Sequence, residues 1–194
     1  MGKTRSRSSG RSTNELSHAL TVIRGDHFMG LYATDNERLG LSVTFLLEGL
    51  REGSICFLIG LDSSTQAILA ELKKSRREIA ADIADGRLIV AEHQTSARDQ
   101  YKFFEDRMSA AERVGLRTFR LFADMIGARQ RMSIEQTLEL ESGFDEVIVH
   151  KHQLTAICAY DVRHFSGIEM LAALKSHPGS VRYVKEDTGE NAAK

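Results

Sequence analysis

Asp35, Asp62, Glu92 with His93, Asp124, and Asp161 with Arg163 each follow a short apolar run, so five runs in succession close on an acid. Carboxylates gathered at one edge can bind a cation, hold a polar ligand, or cap the helices that follow them. The first such end reads His27-Phe28-Met29-Gly30-Leu31-Tyr32-Ala33-Thr34-Asp35-Asn36-Glu37-Arg38. A phosphate-binding loop at this place would need glycines, a lysine and a magnesium-binding hydroxyl, because phosphates are gripped by backbone N–H groups and a cation. The turn offers Asp35 and Glu37 instead. Two like charges about 4 Å apart repel by roughly 4 kcal/mol at an effective dielectric near 20, so a triphosphate brought to several such acids has no anchor. Nucleotide hydrolysis is disfavoured, and we expect no catalytic residues. No serine sits in a nucleophile elbow, and neither Cys56 nor Cys158 has a base close in sequence.

Tyr32 and Tyr160 lie within three residues of a strand's carboxyl end and can present a ring and a hydroxyl to a small molecule. The candidate ligand-binding set is therefore Tyr32, Asp35, Asp62, Glu92, Asp124, Tyr160, Asp161 and Arg163. Helix capping is an equal reading of Asp35 and Asp62, and a nearly equal one of Asp124. His150-Lys151-His152, Cys158 and His164 invite a metal, but the paired histidines diverge and no Cys-x-x-Cys accompanies them. We expect them to be structural, with no metal and no other cofactor. His27, opening the first strand, is expected to be a satisfied buried histidine.

These residues must be positioned by alternating elements. Strand-like runs fall at 27–33, 54–61, 87–91, 118–123, 154–160 and, more weakly, 181–184. Helix-period stretches fall between them at 36–52, 64–85, 97–115, 133–151 and 166–176. Leu39, Val43, Leu46, Leu47 and Leu50 recur at spacings of three and four and give the first helix one apolar face. Ser133 with Gln136 has the spacing of a capping box, and Gly53, Gly86 and Gly115 stand where left-handed helix ends are expected. The runs at 55–61 and 155–160 are apolar on both faces, as strands buried between two helical layers are. The fold class expected is α/β: three layers built on a largely parallel, doubly wound sheet with right-handed crossovers. Ligands bind such sheets outside the carboxyl ends of the strands.

The chain has 194 residues, enough for one domain over 17–185. Residues 1–16 form a basic Ser/Arg/Gly-rich tail expected to be disordered, and 186–194 a loose C-terminal end. Twenty-six Lys+Arg against 27 Asp+Glu exert no global pull toward nucleic acid or membrane. The apolar runs are too short to span a bilayer, there is no secretory leader pattern, and two cysteines in apolar runs read as reduced. A cytoplasmic location is expected.

Several blocks together resemble one family. The strand at 27–32 with Asp35-Asn36-Glu37-Arg38 and 45–50, then Gly86-Arg87-Leu88, Ala123-Asp124-Met125, Ala156-Ile157-Cys158-Ala159-Tyr160-Asp161 and His177-Pro178, are similar in order and spacing to the MEDS domain of methanogen and methylotroph regulators. The likeness runs over roughly 20–184. It implies a RecA/KaiC-like P-loop NTPase scaffold without a functional P-loop, used to sense small molecules such as hydrocarbon derivatives. Where the family often has Gly-Glu-Met and a tryptophan soon after, this chain has Ala123-Asp124-Met125 and no tryptophan, so a pocket built on that ring is altered. Regulators of this type also carry a helix-turn-helix, for which the first twenty residues are too few and too polar. The expectation is a non-catalytic sensory domain that binds an unknown small molecule and signals to a protein partner, a kinase or transcription regulator. It would make no direct specific DNA contact, and a homodimer is plausible. The rival readings are an ATP-binding or ATP-hydrolysing protein with an atypical phosphate loop, and an interaction module without a ligand.

Overall fold

A computed structural model describes residues 25–182, so the expectations for both tails lie outside the described residues. Six strands form one sheet: β1 (His27–Tyr32), β2 (Ile55–Ile59), β3 (Leu88–Ala91), β4 (Phe119–Asp124), β5 (Leu154–Asp161) and β6 (Gly179–Arg182). Their order is β3-β2-β4-β5-β1-β6, and every pairing is parallel. "Largely parallel" thus becomes wholly parallel among the described residues. Strands β2, β4 and β5 are buried at every position, which is why their sequences do not alternate.

Helices α1 (Asp35–Arg51), α2 (Asp62–Ser75) and α3 (Ile79–Ala84) cover one face. Helices α4 (Ala97–Arg113), α5 (Met125–Arg131), α6 (Ile134–Phe144) and α8 (Gly167–Lys175) cover the other, with a short α7 (His150–His152) before β5. One core packs Leu41, Phe45, Leu46 and Leu50 of α1 and Ile68 and Leu72 of α2 on Cys56, Leu58, Phe122 and Ile157. The opposite core packs Phe104, Met108, Leu140 and Phe144 on Met29, Phe57, Leu121 and Cys158. Gly30 lets α1 press on β1: a Cβ there would stand 2.7 Å from Ile157 Cγ2 and 3.0 Å from Leu41 Cδ2.

Three elements depart from the sequence reading. The stretch 64–85 is two helices, because Arg76 turns extended and its guanidinium grips the buried Asp82 at 2.6 and 3.1 Å. The stretch 133–151 is interrupted by a π-helical turn, Asp145–Val149. Helix α5 was not anticipated; it is seven residues long and starts directly from β4, capped by Asp124. The capping box of Ser133 and Gln136 is present, and Gly53, Gly86 and Gly115 all have positive φ. Asp35 and Asp62 do not cap. Each is the first residue inside its helix, and the caps are Thr34 and Leu61. No helix among the described residues is long and apolar enough to cross a membrane.

Candidate functional site

The chain leaves β1 over one face of the sheet and leaves β5 and β4 over the other, so a crevice opens where these three neighbouring strands end. It is lined by Tyr32, Asp35, Arg38, Leu61, Ser63, Ser64, Asp124, Ile126, Asp161, Arg163 and His164. Register explains the grouping: Tyr32 lies opposite Asp161 on β1 and β5, and Asp124 ends the strand beyond.

Asp124 is the hub. Tyr32 donates its hydroxyl to Oδ1 at 3.0 Å, Ser64 donates to Oδ2 at 2.6 Å, and the Ile126 N–H caps onto Oδ1 at 3.3 Å. Arg38 Nη1 reaches Oδ2 at 3.3 Å and also bonds the Ser64 hydroxyl. Burial and the Asp124 charge push the Tyr32 phenol well above its ordinary range, so it stays a donor. Behind the hub, His93 is buried with Nε2 3.1 Å from the Asp124 carbonyl, so that nitrogen carries the proton. Burial brings this histidine down to about 4, which keeps it neutral.

Asp161 has its own cation. Arg163 donates Nε at 2.8 Å, Nη2 at 2.6 Å and its backbone N–H at 2.9 Å, and His164 Nδ1 lies at 3.1 Å. Burial alone would raise the carboxyl, but these donors hold it at about 2. Asp35, mostly exposed, stands 3.5 Å from Arg163 and 3.8 Å from Arg38. The acids of this edge are therefore not bare charges, as the sequence suggested, but partners of two arginines. Arg38 is nearly buried, and its Nε has no hydrogen-bond partner among the described residues.

The turn from β1 to α1 closes itself. Thr34 accepts the Glu37 N–H at 3.2 Å, and the Glu37 carboxylate accepts the Ala33 N–H at 2.6 Å. That bond, with Arg182 at 3.2 Å, lowers the Glu37 carboxyl. The N–H groups that a phosphate would use are thus met in part by a side-chain anion.

Of the residues singled out in sequence, Tyr32, Asp35, Asp124, Asp161 and Arg163 come together. Asp62 faces away and accepts from Gln66 at 3.3 Å. Glu92 pairs with Arg131 on an exposed rim. Tyr160, one residue before Asp161, points to the opposite face, where with Phe165, Ala173 and Ile134 it lines a small apolar pocket. Sequence reasoning passed over Arg38 and Ser64, which sit inside helices rather than at strand ends. The signal for Arg38 was its place three residues after Asp35, one turn into the helix. Sequence reasoning also passed over a buried group on the far face: His27, Glu141, Cys158 and His177. His150, His152 and His164 stand apart from it; His152 is held by Glu105 and Glu112, both at 2.9 Å.

Residues 26–178 match the family described as MEDS, the methanogen/methylotroph, DcmR sensory domain. Over 163 residues the chain is 32% identical to the transcriptional repressor DcmR of Methylorubrum extorquens. That match takes in 84% of this chain and 62% of the repressor, so the chain spans less than two thirds of that relative's length.

Proposed function

The chain belongs to the MEDS family of sensory domains, and we propose that it binds a small polar molecule in the crevice between Tyr32, Arg38, Asp124 and Arg163 and signals to a protein partner. One observation carries the ligand: the nearly buried Arg38, anchored to Asp124 and Ser64, lines an open crevice and has an Nε with no partner among the described residues. Buried donors without acceptors are costly, and a ligand oxygen reaching this atom would remove that cost. The scaffold reads as one derived from P-loop NTPases without a working loop. In support, the β1–α1 turn has no lysine and its first N–H groups are taken by Thr34 and Glu37.

Helix α1 is the natural reporter, because Asp35, Glu37 and Arg38 in its first turn share the crevice and its neighbourhood. A ligand that binds two positions of this helix unequally shifts its population. The relative's role as a transcriptional repressor supports a regulator as the partner. Ile168, Leu171 and Leu174, exposed along α8, supply apolar surface of the kind that partners cover.

The test is a thermal-shift screen of the purified chain with small alcohols, amines and carboxylic acids, followed by calorimetric titration of any hit, with Mg-ATP run alongside. We expect a compound that raises the melting temperature of the wild type and loses its effect in Arg38→Gln, while Mg-ATP gives no heat. Steady-state ATP turnover abolished by altering the turn after Tyr32, or a hit indifferent to Arg38→Gln and Arg163→Gln, would overturn this reading.

A further inference from the structure

On the face of the sheet away from the crevice, four side chains from four separate elements converge: His27 of β1, Cys158 of β5, Glu141 of α6 and His177 of the turn between α8 and β6. All are buried, and their ligand atoms lie within 4.8 Å of one another. His27 Nε2 is 3.2 Å from Cys158 Sγ and 3.6 Å from Glu141 Oε2, and His177 Nε2 is 3.1 Å from the same oxygen.

The outer nitrogens fix the inner ones. His177 Nδ1 lies 2.7 Å from the Ala173 carbonyl, which can only accept, so Nδ1 carries the proton. His27 Nδ1 lies 3.0 Å from the Asp145 carboxylate and is fixed in the same sense. Each ring then turns its Nε2 inward, toward the Glu141 carboxylate. Neither oxygen of Glu141, nor His177 Nε2, makes an aligned hydrogen bond among the described residues, although the His177 ring and the Tyr160 phenol both approach this carboxylate. A buried carboxylate faced by two imidazole nitrogens and a thiol needs a cation among them, and a proton or a metal ion can serve. Imidazoles held through Nδ1 by a carboxylate and a carbonyl are the second layer that metal-binding histidines use. Ligands about 2.0–2.3 Å from a tetrahedral zinc stand roughly 3.3–3.8 Å apart, close to the 3.2, 3.6 and 3.1 Å of these three pairs. The π-helical turn begins at Asp145, four residues after Glu141, so both carboxylates reach the His27 ring. Such turns recur at functional sites.

We propose that His27, Glu141, Cys158 and His177 bind one zinc-class divalent ion through two imidazoles, a thiolate and a carboxylate. Four protein ligands leave no open position, so the ion clamps β1, β5, α6 and the α8–β6 turn rather than performing catalysis. Cys158 gives up its proton on binding. The site lies on the face opposite the sensory crevice and does not depend on the reading of that crevice.

The experiment uses the full chain, purified without a histidine tag or chelator from zinc-supplemented medium. Elemental analysis should find about one zinc per chain, and exchange for Co²⁺ should give a thiolate-to-cobalt charge-transfer band. Cys158→Ser should lose that band. His177→Gln should lower metal content at least tenfold. Asp145→Asn, which touches no ligand atom of the site except through His27, should weaken affinity by about 10–100-fold. His150→Gln, on the exposed surface, should change nothing. Circular dichroism checks that each variant folds, and the wild-type measurements stand even if one does not. Metal-free wild type that takes up neither Zn²⁺ nor Co²⁺ at equimolar addition, with both thiols titrating as reduced once unfolded, overturns the proposal. So does a bound ion indifferent to Cys158→Ser and His177→Gln.

Discussion

Asp124 shows how one side chain can serve as cap, acceptor and counter-charge at once. It ends β4, caps α5, and gathers a phenol, a hydroxyl and a guanidinium. Asp124→Ala leaves the Tyr32 and Ser64 hydroxyls without their acceptor and takes from Arg38 its buried counter-charge, and we expect a loss of about 3–5 kcal/mol in urea unfolding. Tyr32→Phe removes one donor and leaves Ser64 and Arg38 on the carboxylate, so its cost should be near 1 kcal/mol. Asp161 predicts a pH dependence. Its folded carboxyl lies at about 2, below the roughly 3.9 of an unfolded aspartate, so its stabilisation is fully present above pH ~4. It is lost as pH falls toward 2. Arg163→Gln should flatten the acid limb of a stability–pH curve between about pH 4 and 2; an unchanged limb would show that Arg163 is not its cause. The residues at strand ends were legible because a parallel sheet brings all carboxyl ends to one edge. Tyr160 shows the limit: adjacent positions on a strand face opposite ways, so counting distance from the strand end placed it on the wrong side.

At the scale of elements, the turn after β1 sets what the scaffold can hold. Thr34 and Glu37 complete a cap that a phosphate-binding loop would leave open. Glu37→Ala should lower the midpoint of denaturant unfolding and should not confer Mg-ATP binding by calorimetry, because lysine and glycines are still missing. The order of strands and helices was legible from apolar runs and three-to-four spacing. The break at Arg76 was not, since it depends on a guanidinium reaching an aspartate six residues ahead. Nor was the π turn, a five-residue stretch too short for its wider period to show in the spacing of apolar residues. Helix α5 escaped notice because seven residues scarcely establish a period. The contact that shapes it is Gly127, where a Cβ would lie 2.9 Å from His93 Cδ2 and 3.2 Å from the Leu61 nitrogen. The cluster of His27, Glu141, Cys158 and His177 was invisible for a related reason. Its members span 150 positions and belong to four elements, so no spacing rule joins them.

Among the described residues, β1 is the first strand yet sits inside the sheet, bonded on one side to β5 and on the other to β6. Both neighbours are the last of the described strands to be made. During synthesis the first strand therefore waits, with both hydrogen-bonding edges unpaired, until more than a hundred further residues have emerged. Unpaired strand edges invite association between nascent chains. A truncation ending before Leu154 should accumulate in the insoluble fraction, whereas the full chain should not; a soluble, folded truncation would show that β1 finds another place to rest. The newborn protein should accordingly lean on chaperones until its final strands arrive.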